Sequence, residues 1–131
     1  MLTLLACSGV PVLDAPEFTL EARNGVEACT VCALAGLEFA VLIHNPTDED
    51  GVVETGLCLV TSGELENETT GQGVGWDDLC PEGVERWEIP AGGTVEHMFT
   101  VDEVEPGVQT LTVHLTDERH RTLSVGFEGV E

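Results

Sequence analysis

Leu37-Glu38-Phe39-Ala40-Val41-Leu42-Ile43-His44 is the stretch on which the fold class turns. Leu37, Phe39, Val41 and Ile43 fall at every second position. In an extended chain they therefore share one face, as in a half-buried strand. The run stops at Asn45-Pro46-Thr47-Asp48-Glu49-Asp50-Gly51, where Asn, Pro, Asp and Gly each favour a turn for their own conformational reason.

The same period continues outward. Phe18 to Ala22 reads as the first strand, and Val52 to Thr61 follows the turn. Ser62 to Asp78, with Gly71, Gly73 and Gly75, reads as a long polar connection with little to bury. Glu85 to Ile89 is a short strand carrying Trp87. Pro90-Ala91-Gly92-Gly93 turns the chain into a strand from Thr94 to Val101. After Glu105-Pro106-Gly107, the side chains of Leu111, Val113 and Leu115 share one face, with Thr110, Thr112 and His114 on the other. Leu123, Val125 and Phe127 point inward from the last strand. Only Ala28 to Leu37, rich in small residues, offers a helical turn or two. About seven strands at short intervals predict an all-β antiparallel sandwich over residues 17–131, after an N-terminal segment and linker over 1–16.

Composition agrees. The chain has 131 residues, a single domain on length. Its core must come mainly from Val, Leu and Ile, because it has four Phe, two Trp and no Tyr. Charge is the unusual quantity: 25 acids face four Arg and no Lys, a formal net charge of -21. Such a surface repels phosphate backbones and anionic headgroups, which argues against nucleic-acid partners. The acids are interleaved with apolar residues along the whole chain, so they suit strand faces and loops rather than a tail. They fit a soluble surface protein kept apart by repulsion. The absence of Lys favours a halophilic or marine setting, where salt at about 1 M screens that repulsion within about 3 Å.

Leu4-Leu5-Ala6-Cys7 resembles a lipobox, the bacterial lipoprotein processing signal. The resemblance implies lipid on Cys7 after cleavage, although the apolar run before it is shorter than the roughly 7–15 residues of a signal peptide. No stretch approaches the roughly 20 apolar residues of a membrane span, so any membrane attachment is expected through lipid alone. Cys29, Cys32, Cys58 and Cys80 remain, an even number that suggests two disulfides in an exported domain. A Cys58–Cys80 bridge would close the long connection and stabilise the fold by about 3 kcal/mol. Cys29–Cys32 would then be local, and crossed pairings are equally allowed. A redox role for Cys29-Thr30-Val31-Cys32 needs a following helix that the pattern does not supply. A zinc site needs a second close ligand pair.

His44-Asn45-Pro46, then Trp87-Glu88-Ile89-Pro90-Ala91-Gly92-Gly93-Thr94, and Val104-Glu105-Pro106-Gly107-Val108 before Leu111-Thr112-Val113, carry a second likeness. The block from Leu37 to Leu115 resembles the immunoglobulin-like cell-surface adhesion domains of the CARDB type, and more distantly the BsuPI-type proteinase-inhibitor domain. The likeness implies an immunoglobulin-like sandwich and no particular function.

No catalytic constellation emerges. His97 and His114 lie on strands that could neighbour each other, and His44 and His120 at strand ends. Their spacing shows no convergence on a metal. The residues after Cys80 lack the His and Met that a type-1 copper loop requires. Ser8, Ser62 and Ser124 lack a nucleophile-elbow setting, and Asp77-Asp78 suits a solvated loop. Asp48-Glu49-Asp50-Gly51 has the carboxylates for calcium, but Pro46 occupies the first ligand position of the EF-hand pattern. Asn67-Glu68-Thr69 is a glycosylation sequon. The expectation is a non-enzymatic, extracellular or cell-surface module without cofactor or metal, binding protein, polysaccharide or itself. A protease-inhibitor-like domain presenting residues 62–80 and a periplasmic metal-binding protein are the alternatives.

Overall fold

The computed structural model describes residues 10–131. Cys7, the lipobox-like segment and Ser8 lie outside them. The described residues are all β, in ten strands: β1 (Glu17–Asn24), β2 (Glu27–Ala28), β3 (Val31–Ala33), β4 (Leu37–His44), β5 (Gly51–Asn67), β6 (Gln72–Asp77), β7 (Val84–Ile89), β8 (Thr94–Phe99), β9 (Gly107–Asp117) and β10 (Thr122–Val130). Two sheets pack face to face. One has the order β2-β1-β4-β8; the other runs β3-β10-β9-β5-β6, with β7 also paired to β5.

The period-two faces form the core. Phe39, Val41 and Ile43 of β4 meet Leu111, Val113 and Leu115 of β9 across the interface, all buried. Phe39 sits at the centre, its ring 5.7 Å from Phe99 and 5.4 Å from Phe127. The inward residues of β10 grade outward from Phe127 to the partly buried Val125 and Leu123.

Two stretches differ from the sequence expectation. Ser62–Asp78 is not a loose connection: Ser62–Asn67 continues β5, and Gln72–Asp77 returns antiparallel as β6. The acids Glu64 and Glu66 alternate with the buried Gly63, Leu65 and Asn67, so the period of two was present but diluted by glycine. Gly63 is required there, because a Cβ would stand 2.5 Å from the Trp76 ring that crosses β5. Ala28–Leu37 contains no helical turn. Its β3 pairs with β10, Cys32 opposite Gly129, and runs parallel to it, unlike the other strand pairs. The Asn24 side chain extends β1 toward β3, exchanging bonds with Ala33 N and O at 2.8 and 2.9 Å.

β5 is irregular in its middle. Its register with β9 shifts between Thr55 and Val60 and again before Ser62, and it pairs with β7 before that stretch and with β6 after it. Upstream of β1, Pro11 and Leu13 bond to Val52, so this part of the expected linker packs on the domain.

Candidate functional site

The cysteines pair as Cys29–Cys32 and Cys58–Cys80, the pairing considered first from sequence. Cys58 lies in the irregular middle of β5, so its bridge pins the chain that returns from β6 where the ladder is broken. The Cys29–Cys32 bridge closes the β2–β3 connection, with Cys32 wholly buried.

The histidines do not converge. His97 and His114, for which the sequence left neighbouring strands open, occupy different sheets. His97 is half-buried on β8, edge-on to Trp87 at 6.0 Å and stacked near Phe99 at 6.3 Å. Burial among these rings lowers its pKa. His44 bonds Thr94 Oγ1 at 2.9 Å, and His120 holds a left-handed turn residue with φ of 50°. His114 is on the outer face of the larger sheet. Its Nε2 lies 2.8 Å from Glu64 Oε1 and its Nδ1 3.2 Å from Thr122 Oγ1. The neighbouring row joins Thr112 to Ser124 at 2.9 Å. Hydroxyl, imidazole and carboxylate thus stand in line on an exposed face. Among the described residues, no three His, Cys, Asp or Glu side chains group as metal ligands. Ser62 and Ser124 stay on this outer face, and Asp77 ends β6.

Two buried asparagines organise these regions, Asn45 at the start of the turn that carries the calcium candidate Asp48–Gly51, and Asn67 in the glycan sequon. Asn45 is 0% exposed. Its Nδ2 donates to Glu49 O at 2.8 Å and Ile89 O at 3.0 Å, and its Oδ1 accepts from Thr47 N and Oγ1. Asp50 caps the next turn, accepting from Ala91 N at 3.0 Å. The acidic turn is therefore organised around a carboxamide. Asn67, the sequon residue, is 7% exposed. Its Nδ2 donates to Pro106 O, and its Oδ1 accepts from Thr69 N and Thr70 N, at 3.0 to 3.1 Å. A glycan on Asn67 would have to be attached before folding or displace these contacts.

Arg23 was not singled out from sequence. It lies across the outer face of the smaller sheet at 8% exposure, forking onto both Glu96 oxygens at 2.9 and 3.0 Å and bonding Glu21 at 3.0 Å. This bidentate partner lowers the Glu96 pKa. A β-strand pattern carries no signal for a cross-sheet clamp, because Arg23 and Glu96 are 73 residues apart.

The concave surfaces are shallow. One cleft of about 240 Å³ lies beside Phe18, over which Arg121 stacks at 4.4 Å. A wider one, about 520 Å³, opens beneath β6 between Leu65, Val74 and Val104, with Glu103 and Glu105 among its lining residues. Val74 is 52% exposed, on a strand whose far edge has no neighbour among the described residues. That edge leaves backbone donors and acceptors open to an added strand. No protein-family model matches the chain, and no curated protein matches it.

Proposed function

We propose that this chain is an immunoglobulin-like surface module that works outside the cytoplasm by contact rather than catalysis, held to a membrane by lipid on Cys7. The observation that carries the reading is the pair of disulfides, Cys29–Cys32 and Cys58–Cys80. Such bridges persist in oxidising compartments and are rare in the cytosol. The net charge of -21 without Lys suits a salt-rich exterior and leaves protein, polysaccharide or another copy of the chain as the partner classes. Two facing, mainly antiparallel sheets around one core support the immunoglobulin-like assignment.

The inhibitor-like alternative draws support from one feature: residues 62–80 form a hairpin closed at its base by Cys58–Cys80. It differs from the first reading in what a partner covers, the hairpin tip at Glu68–Gly71 or the β6 edge.

Intact mass and thiol titration of natively isolated protein test the proposal. The expected result is four thiols that react only after reduction, together with a lipid mass at Cys7. Four freely reactive thiols at Cys29, Cys32, Cys58 and Cys80 would overturn it.

A further inference from the structure

We propose that the outer edge of β6 is a pairing site for a second copy of this chain, the two β6 strands joining antiparallel about a two-fold axis through Val74. The inference rests on the surface-module reading and names its partner.

The register of β6 against β5 fixes which of its backbone groups are free. Asp78 N donates to Thr61 O in the same register that pairs Ser62 with Asp77. In an antiparallel ladder, bonded and non-bonded pairs alternate. Gln72, Val74 and Trp76 therefore bond to β5, and the N–H and C=O groups of Gly73, Gly75 and Asp77 point away from it. β6 ends its sheet, so those groups have no strand beside them among the described residues.

Native proteins blunt such edges with short strands, charges, proline or bulges. The other terminal strands of the two sheet orders, β2, β3 and β8, follow that rule. β2 and β3 are two and three residues long. On β8 the same alternation, fixed by Asn45 N to Gly93 O, turns Thr94, Glu96 and Met98 outward, and Glu96 is charged and clamped by Arg23. β6 has none of these guards from Gln72 to Trp76.

Its glycines are also unexplained by their own chain. Gly73 and Gly75 do not need a left-handed φ, and a Cβ on either would meet nothing nearer than 3.9 and 3.6 Å. Glycine in a strand costs roughly 0.5–1 kcal/mol relative to alanine. It often marks a place where another backbone approaches closely. The two-fold arrangement uses both residues: Gly73 faces Gly75 of the second copy, and each such pair exchanges its free N–H and C=O groups. Val74 then meets Val74 at the close, non-bonded position, covering an apolar side chain that the monomer leaves half exposed. Asp77 falls opposite Gly71, so no carboxylate faces a carboxylate within the seam.

Copies of net charge -21 repel each other beyond the seam. The screening length falls from about 10 Å at 0.1 M salt to about 3 Å at 1 M. Pairing should therefore tighten with salt, opposite to an interface built on ion pairs. The test is sedimentation of the full chain from 0.1 to about 2 M sodium chloride, beside Gly75→Pro. In that variant the lost N–H is the outward one, so the β5–β6 ladder stays whole. Unchanged circular dichroism and closed disulfides confirm its fold. Wild type is expected to dimerise increasingly with salt, and Gly75→Pro to weaken the dimer roughly thirtyfold or more, for two lost hydrogen bonds. Amide exchange at Gly73 and Gly75 should slow with protein concentration. A wild type that stays monomeric at millimolar concentration and molar salt would overturn the proposal. So would a folded Gly75→Pro that dimerises equally well. Neither result touches the surface-module reading, which fails separately on free thiols.

Discussion

Asn45 and Asn67 stand near opposite ends of β5 in comparable settings, yet they secure the fold to different depths. Each is buried, Asn45 just after β4 and Asn67 as the last residue of β5, and each holds its own turn through Oδ1 while Nδ2 reaches a remote carbonyl. Asn45 is fully enclosed and joins the β4–β5 turn to the end of β7 through Glu49 O and Ile89 O. Asn67 reaches a single carbonyl, Pro106 O, on the edge of a solvent-facing cleft. A buried carbonyl that loses its donor cannot turn to water, whereas one at a cleft can. The first is expected to behave as a latch between two turns and the second as a local brace. The largest effect should therefore come from Asn45→Ala. Chemical unfolding should show a loss of roughly 3 kcal/mol, from the buried Ile89 O deprived of this donor and an unsupported turn. A loss below about 1 kcal/mol would mean that water reaches this turn and that the contrast with Asn67 is unfounded.

Asn67→Ala should cost less, roughly 1–2 kcal/mol, because water in the neighbouring cleft can take over Pro106 O. The rest of that brace stays in place: Val108 N still donates to Thr69 Oγ1 at 3.0 Å, and Glu68 N to Val108 O at 2.7 Å. Unfolding of the two alanine variants side by side checks the ratio. Equal losses would break the comparison from the other direction, showing that the cleft side is as dry as the turn side.

Both asparagines were visible in the sequence, but under other roles. Asn45-Pro46-Thr47 reads as a turn, which it is, yet nothing in it shows that Nδ2 reaches Ile89, 44 residues away. Asn67 reads as a sequon because its neighbours Glu68 and Thr69 fit a three-residue pattern; its burial depends on β9, which the pattern does not contain. The long strands were legible because alternation is local: β1, β4, β7, β8, β9 and β10 fall where Phe18, Leu37, Trp87, Val95, Leu111 and Leu123 placed them. β3 and β6 were not, since one is three residues long and the other carries two glycines, and each owes its existence to a partner strand supplied by another part of the chain. The free edge of β6 was illegible for the same reason. A strand that cannot be recognised cannot be recognised as unguarded.

The last and smallest expected effect separates the asparagines from the titrating groups around them. Neither carboxamide ionises, so the difference between Asn45→Ala and Asn67→Ala should be flat with pH. His97 should not be. Its pKa lies below the ordinary histidine value because the rings of Trp87 and Phe99 hold it away from water. Above that ordinary value, about 6.5, folded and unfolded chains both carry a neutral ring, and no slope arises. As pH falls through it, the unfolded chain takes up a proton that the folded chain refuses, and stability declines until the folded His97 is protonated as well. Glu96 acts lower and separately. Its pKa is depressed by Arg23, so its contribution is full above the ordinary glutamate value and fades as pH falls to its folded one. Acidification also relieves repulsion among 25 acids, a trend of opposite sign that can hide both. The useful quantity is accordingly the difference between wild type and His97→Phe in molar salt, where that repulsion is screened. It should shift in favour of the variant between about pH 7 and 5, while a constant offset across that window would mean that His97 is as well hydrated in the sandwich as in the open chain.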